Sequence, residues 1–176
     1  MRNKAFTLLE MMLVFVVVAI IAITAVRYYS AIRESEKIES LVQQWLSVYN
    51  AMNQCIWRGR SLALRTNGYN TASEQTCLSG SSGFDHLISA GNLSGTIDGD
   101  TNAYTIEYNP WGETSVNKNT LTEVSMLVYA FNAYGVPQKS CNKIKTSMLT
   151  KLPPNSTVTV NGDICIFKFT VQDAPQ

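Results

Sequence analysis

The sequence predicts an α+β fold in which one long N-terminal helix packs on an antiparallel sheet. Residues 6–58 contain neither proline nor glycine, so one uninterrupted helix can run through them. Beyond residue 104, short runs of β-branched and aromatic residues alternate with proline and glycine, which is typical of strands joined by turns. About 110 residues follow the helix, which is enough for one globular domain.

The first half of the predicted helix is almost entirely apolar. Residues 6–26 contain Glu10 as their only ionisable side chain, and at a rise of about 1.5 Å per residue they span roughly 30 Å, the thickness of a bilayer core. A carboxylate at the centre of such a segment costs about 2.5–3.5 kcal/mol. If the chain is cut between Ala5 and Phe6, the new amine lies one helical turn from Glu10 and can pair with it. The amine of a neighbouring chain can serve equally well.

The N-terminal pattern resembles the leader of type IV prepilins. It has a short basic leader, a small residue before the cut, an apolar residue after it and a glutamate four positions on: Arg2, Lys4, Ala5, Phe6 and Glu10. The resemblance implies cleavage after Ala5 and N-methylation of Phe6 by a prepilin peptidase. It also implies assembly into a helical filament in which Glu10 pairs with the Phe6 amine of an adjacent subunit. The family usually has glycine where this chain has Ala5.

Two simpler interpretations of this segment are an ordinary cleaved signal peptide and a plain single-span anchor. A signal peptide has a basic start, an apolar core and a small-residue cleavage site, here near Ala25. Glu10 argues against it, because a signal peptide has no use for a carboxylate. The basic leader predicts a cytoplasmic N-terminus with the rest outside. The expected location is the bacterial inner membrane before assembly, and an extracellular pilus or periplasmic filament after it.

The sequence divides into four predicted segments: a leader at 1–5, a membrane or filament-core helix at 6–26, an amphipathic half of the same helix at 27–58, and a globular head at 59–176. The amphipathic half has apolar residues at spacings of three and four, which predict one face on a core: Ile38, Leu41, Val42, Trp45, Tyr49, Met52 and Ile56. A coiled coil is the alternative, but the repeat lasts under three heptads.

Strand and turn signals fill the head. Strands are predicted at 104–108, 113–116, 125–131, 156–160 and 164–171, and Asn161-Gly162 is typical of a tight hairpin turn between the last two. A short helix is predicted over residues 84–90, ended by Gly91. Residues 142–152 have the spacing of another short helix.

Composition and cysteine spacing exclude several classes of site. The chain has 14 Lys and Arg against 13 Asp and Glu, and this near-neutrality argues against a nucleic-acid electrostatic footprint. Its four cysteines form no C-x-x-C pair, and an even number outside the cytoplasm suggests two disulfides. Three pairings are open; we expect Cys55–Cys77 and Cys141–Cys165, each contributing about 3 kcal/mol in the chain-entropy model. Free buried thiols are the alternative.

A second resemblance lies in the C-terminal half. Asn109-Pro110-Trp111-Gly112, a strand near Phe131, then Gly135-Val136-Pro137 and Cys141 are similar to the type IVb pilin pattern. That resemblance implies a bond from Cys141 to the C-terminal Cys165. The leader is more similar to type IVa pilins or pseudopilins, and Glu113 and Arg27 stand where the two patterns have Gly and Pro.

The remaining motifs favour ordinary surface roles. His86 has no nucleophile motif beside it, and Asp98-Gly99-Asp100-Thr101-Asn102 begins like an EF-hand loop but lacks its glycine at the sixth position. Arg58, Arg60 and Arg65 form a modest basic cluster, which is most often a solvated face. We therefore predict no catalytic residue, no metal site and no cofactor.

The predicted function is that of a type IV pilin-like filament subunit with a mechanical and structural role in adhesion, aggregation, DNA transfer or motility. Its predicted partners are the prepilin peptidase, other pilin subunits, the inner-membrane assembly machinery and the membrane itself; a host-surface or DNA ligand is left open. The alternatives are a minor pilin or adhesin and a type II secretion pseudopilin. A membrane-anchored periplasmic enzyme is a third class, for which the sequence has no motif.

Overall fold

The computed structural model describes residues 7–57, 77, 84–89, 91–97, 104–105, 108–112, 120–125, 128–147 and 149–170, and it confirms the predicted α+β architecture. The chain forms two compact units, Met1–Glu36 and Lys37–Gln176. The described elements, in chain order, are α1 (Leu8–Trp57), α2 (Asp85–Ser89), β1 (Thr96–Ile97), β2 (Tyr104–Thr105), β3 (Thr120–Ser125), β4 (Val128–Tyr134), α3 (Gln138–Ser147), a 3₁₀ turn (Leu149–Lys151), β5 (Thr157–Asn161) and β6 (Ile164–Thr170).

Helix α1 begins with an N-cap threonine. The Thr7 carbonyl accepts hydrogen bonds from the amides of Glu10 and Met11 at 3.0 and 3.2 Å, and the Thr7 hydroxyl oxygen accepts from the Glu10 amide at 3.4 Å. Threonine at the cap with glutamate three residues later is the capping-box pattern. The helix then continues for 50 residues without a proline or glycine to interrupt it.

The core of the second unit lies between the C-terminal half of α1 and a four-stranded antiparallel sheet. Trp45 stacks on Phe167 with ring centroids 5.2 Å apart and meets Phe169 edge-on at 6.1 Å. Tyr49 meets Phe169 edge-on at 5.7 Å. Burial is described for six of the seven apolar positions predicted on this face, and they are buried or half-buried: Ile38, Leu41, Val42, Trp45, Tyr49 and Met52.

The main sheet has the strand order β3-β4-β6-β5, with every neighbouring pair antiparallel. Phe131 of β4 lies directly opposite Phe167 of β6, and both side chains are on the buried face of the sheet. Strands β5 and β6 form the predicted hairpin, and Gly162 in its turn has a φ of +59°, which glycine adopts without a steric penalty. The two short strands β1 and β2 form a separate antiparallel pair.

The structure corrects the strand prediction for residues 125–131. That run divides between two antiparallel strands, β3 ending at Ser125 and β4 beginning at Val128. Strand β3 was missed because it lies at the sheet edge and contributes a single buried residue, Leu121, to the described core. Of the strand predicted at 104–108, residues 104–105 form β2 and Tyr108 lies outside it; the strand predicted at 113–116 lies outside the described residues.

The helix predicted from residue 142 begins earlier, at Gln138, and ends at Ser147. Pro137 directly precedes the helix, and its carbonyl accepts the first helical hydrogen bond, from the Cys141 amide at 3.0 Å. Proline has no amide proton, so no backbone donor is left without an acceptor at this position. The glycine stop predicted after α2 is present. Gly91 has a φ of +73° and donates to the Ile88 carbonyl, while the Asn92 amide donates to the Leu87 carbonyl at 2.8 Å, which is a Schellman motif.

Candidate functional site

The N-terminal part of α1 exposes an unusually apolar surface. Described residues from Thr7 to Val26 are all exposed within the chain, and Glu10 is the one ionisable side chain among them. By length and composition, α1 is the one helix among the described residues that can cross a membrane. Burying so much apolar surface requires lipid or other protein chains, because nothing within this unit covers it.

Glu10 lies in the first turn of α1, directly after the Thr7 cap. Among the described residues, none donates a hydrogen bond to its carboxylate or forms an ion pair with it. Ala5 and Phe6, the predicted cleavage and methylation positions, lie outside the described residues. The position of Glu10 in the first turn is favourable by itself, because a helix N-terminus carries partial positive charge.

Two disulfides constrain the second unit. Cys55, near the end of α1, is bonded to Cys77, and Cys141 of α3 is bonded to Cys165 of β6, with Cα–Cα distances of 5.9 and 5.7 Å. All four cysteines are fully buried, and no free cysteine occurs in the described part of the chain. The sequence separations of 22 and 24 residues correspond to about 3 kcal/mol of stabilisation each in the chain-entropy model.

Asn109 holds the Asn-Pro-Trp-Gly segment in place. Its side chain is 1% exposed, its Nδ2 donates to the Tyr134 carbonyl at 2.7 Å, and its Oδ1 accepts from the amides of Trp111 and Gly112 at 3.0 Å. One side chain therefore closes the turn and ties it to the end of β4. In the sequence this segment stands out only by its resemblance to the family pattern, and no role of Asn109 follows from the sequence alone.

Helix α1 contacts the same segment from the other side. Gln44 Nε2 donates to the Tyr108 carbonyl at 3.0 Å, and the Lys37 ammonium lies 5.9 Å from the centre of the Trp111 ring, within cation–π range. The 108–112 segment is thus bound to both the helix and the sheet. A side-chain hydrogen bond between residues 64 positions apart has no signal in the sequence.

An ion pair joins α1 to the 3₁₀ turn at Leu149–Lys151. Lys151 Nζ donates to Glu39 Oε2 at 2.8 Å, and Gln43 Nε2 donates to Glu39 Oε1 at 3.3 Å. The hydrogen bond from Lys151, followed by that from Gln43, holds the pKa of the Glu39 carboxyl below its ordinary value. Both side chains are substantially exposed, so the pair contributes little to stability.

The other residues considered in the sequence analysis form no described site. His86 lies in α2, and its side chain is outside the described part of the structure, as are the Asp98–Asp100 loop and the arginines at 58, 60 and 65. Among the residues that are described, no group of three or more His, Cys, Asp or Glu side chains could hold a metal ion.

The comparisons with known proteins identify the N-terminal segment. Residues 1–26 match the family model described as the prokaryotic N-terminal methylation motif. No curated protein and no solved structure matches the chain. The motif indicates a structural subunit rather than an enzyme and fits membrane anchoring before assembly. The chain carries a class III prepilin leader, and its apolar helix and antiparallel sheet fit the type IV pilin and pseudopilin superfamily.

Proposed function

We propose that this chain is a type IV pilin-like subunit that a prepilin peptidase cleaves between Ala5 and Phe6 and methylates on the Phe6 amine. Other pilin subunits and an inner-membrane assembly machinery then incorporate it into a filament. The observation that carries the proposal is the exposed apolar half of α1 with Glu10 as its one ionisable group. Such a surface suits a bilayer before assembly and a bundle of identical helices afterwards.

The proposal assigns a specific task to Glu10. In a bundle of apolar helices an unpaired carboxylate and an unpaired amine are each costly, and removing one partner of a buried pair costs about 3–5 kcal/mol. Pairing Glu10 with the Phe6 amine of a neighbour displaces the two helices by four residues, about 6 Å along the axis. The ion pair therefore selects one axial stagger among many that apolar packing alone would allow.

The capping contact of Thr7 gives Glu10 a competing structural role. A glutamine at this position retains the capping-box pattern but has no charge. An alanine at this position removes both the capping-box pattern and the charge. Glu10→Gln and Glu10→Ala together separate helix capping from amine pairing, because only the charge matters for the proposed function.

The test measures each variant in the membrane fraction and in sheared filaments of the native host. Both variants should accumulate in the membrane at the parent level and fail to enter filaments. Leu9→Ala, at an exposed neighbouring position, is the matched control and should assemble. Normal filament incorporation of Glu10→Gln would contradict the assigned pairing and leave Glu10 as a helix cap.

We further propose that the N-terminus is cytoplasmic and that the disulfide-constrained unit forms the outer surface of the filament. Intact-mass measurement of the chain from its host tests the processing step. A chain that starts at Phe6 and carries one added methyl group supports it, whereas a chain that starts at Met1 or near Val26 contradicts it. The copy number of the subunit in purified filaments distinguishes a major subunit from a minor pilin or adhesin.

A further inference from the structure

The apolar surface of α1 is followed by exposed aromatic and basic side chains. Tyr28 and Tyr29 come shortly after Val26 and are 72% and 59% exposed. The guanidinium carbon of Arg33 lies over the Tyr29 ring, 5.2 Å from its centre, within cation–π range. These residues belong to the first compact unit, Met1–Glu36. The ring and the guanidinium are therefore part of the same unit as the membrane-capable segment.

Tyr29 and Arg33 continue a stripe that begins in the apolar segment. Spacings of four, three and four residues place the members of this stripe on one side of the helix: Ala22, Val26, Tyr29 and Arg33. All of them are exposed within the chain. An exposed apolar stripe thus ends in an aromatic ring and then in a guanidinium.

The position of this pair along the helix matches the headgroup layer of a bilayer. The 20 residues from Thr7 to Val26 span roughly 30 Å, which fills the hydrocarbon core, and the headgroup layer on each side is roughly 5–7 Å thick. Tyr29 lies about 4.5 Å beyond Val26 along the axis. Because helical side chains lean toward the N-terminus, Arg33 reaches back to the level of this ring. The guanidinium therefore lies at the depth of the lipid phosphates.

Positive charge on this flank of the segment runs against the usual distribution. In the proposed orientation the N-terminus is cytoplasmic, and the positive-inside rule concentrates arginine and lysine on that side. Arg27 and Arg33 nevertheless lie within seven residues of Val26 on the opposite flank. Among the described residues, no carboxylate forms an ion pair with Arg33. Its guanidinium thus has a ring partner and no described acceptor for its hydrogen bonds.

We propose that Arg33, oriented by the Tyr29 ring, binds the phosphate of an anionic phospholipid in the outer leaflet of the membrane. A guanidinium is a planar fork of donors that fits a phosphate bidentately. Contact with the ring restricts the arginine side chain before the lipid binds, so less conformational freedom is lost on binding. The inference rests on the proposed function only for the residence of the apolar segment in a bilayer.

The charge of the site favours an anionic lipid over a zwitterionic one. Phosphatidylcholine carries a cation beside its phosphate, which offsets the attraction of the guanidinium, whereas phosphatidylglycerol carries no cation. We expect a preference of about fivefold for phosphatidylglycerol, equivalent to about 1 kcal/mol for one arginine near an anionic surface.

Arg27 provides a matched control on the same flank. It is six residues from Arg33, which places it about 120° away around the helix, and among the described residues no aromatic ring lies against it. Its preferred side-chain direction is toward the hydrocarbon, so it must extend away from that direction to reach a phosphate. Substitution of either arginine removes the same charge, so a site at Arg33 predicts different effects of the two changes.

The test measures the lipid selectivity of the full chain by native mass spectrometry. The protein is released from neutral detergent micelles that contain equal amounts of phosphatidylglycerol and phosphatidylcholine with identical acyl chains. The parent should retain phosphatidylglycerol about fivefold more often, Arg33→Gln should lower this ratio to about one, and Arg27→Gln should stay within about twofold of the parent. Tyr29→Leu should also lower the ratio although it removes no charge, because the arginine then has no ring to hold it.

Several results would overturn the proposal. They are no lipid preference in the parent, equal losses in the two arginine variants, a parent-like ratio in Tyr29→Leu, and displacement of the lipid by excess inorganic phosphate, which would make the site one for the free anion. Loss of dimers from Arg33→Gln at an unchanged lipid ratio would assign the arginine to a second copy of the chain instead.

Glu10→Gln separates this inference from the proposed function. That variant should fail to enter filaments and should keep the lipid preference of the parent. Failure of filament assembly and failure of lipid binding are thus distinct outcomes.

Discussion

The two halves of helix α1 differ in apolar content and in surroundings: the first half is almost entirely apolar, and the second is apolar on one face. Between Thr7 and Val26 every described side chain is exposed, whereas Leu41, Trp45 and Met52 further along are fully buried against the sheet. The apolar side chains of one continuous helix are therefore covered in two different ways. The second half finds its partners within its own chain, and the first half needs a bilayer or other chains. Stability of the head and assembly of the filament should therefore respond to different substitutions.

The largest expected effect is from Trp45→Ala. This change removes a fully buried ring that contacts Phe167 and Phe169, and such truncations cost about 3–5 kcal/mol of unfolding free energy. Urea unfolding in detergent, followed by far-ultraviolet circular dichroism, measures the loss. Phe15→Ala in the exposed half is the matched control and should leave the stability of the head unchanged. Equal effects of the two substitutions would contradict the separation of the two halves.

Removal of a disulfide is expected to come next. Replacing Cys141 and Cys165 together by serine should destabilise the second unit by about 3 kcal/mol while membrane insertion of the first unit is unaffected. Urea midpoints with and without reductant give the measurement. The reduced parent should approach the reduced double variant, because reduction also opens the Cys55–Cys77 bond in both proteins. A parent that is insensitive to reductant under unfolding conditions would show that the bond contributes little.

Asn109→Ala should have an intermediate effect. It leaves the Tyr134 carbonyl and the Trp111 amide without their described side-chain partner, and each unsatisfied buried group costs about 1–3 kcal/mol. The Gly112 amide keeps its hydrogen bond to the Asn109 backbone carbonyl at 2.9 Å. Asn109→Asp is an informative companion, because its carboxylate can accept from the two amides but cannot donate to Tyr134. We expect the alanine variant to be the less stable of the two by thermal unfolding. The reverse order would mean that burying the unpaired aspartate carboxylate beside the Tyr134 carbonyl costs more than its bonds to the turn amides contribute.

The smallest effect concerns the pH dependence contributed by Glu39. Because Lys151 lowers the pKa of this carboxyl in the folded state, its contribution is fully present above the unfolded pKa and is lost as pH falls through the folded pKa. Glu39→Gln should remove this part of the acid-side decline, with little change at neutral pH because the pair is exposed. Melting temperatures of the two proteins across the acidic range provide the check, and parallel curves would exclude a role for the pair.

The predictions that succeeded are those for elements with a regular spacing of apolar residues. Periodicity identified the buried face of α1 and the alternation of β6, because a single long helix and a two-sided strand impose regular spacing on their apolar residues. Periodicity did not predict strand β3, and it placed the start of α3 four residues too late. An edge strand with one buried residue in the described core and a short helix with three buried positions carry too little pattern to stand out.

The candidate sites divide in the same way. Glu10 was visible because a lone carboxylate in an apolar segment is chemically conspicuous. The roles of Asn109, Gln44 and Lys37 depend on contacts between distant residues.

By itself, the sequence determined the long helix, the α+β class, the membrane-capable segment and the presence of a prepilin leader, because each depends on local composition and spacing. Only the tertiary structure decided the order of the strands, the choice among three possible disulfide pairings, the anchoring of the 108–112 segment and the start of α3. Those features join residues that are far apart in the chain, and their energies depend on distances that exist only after the core has packed.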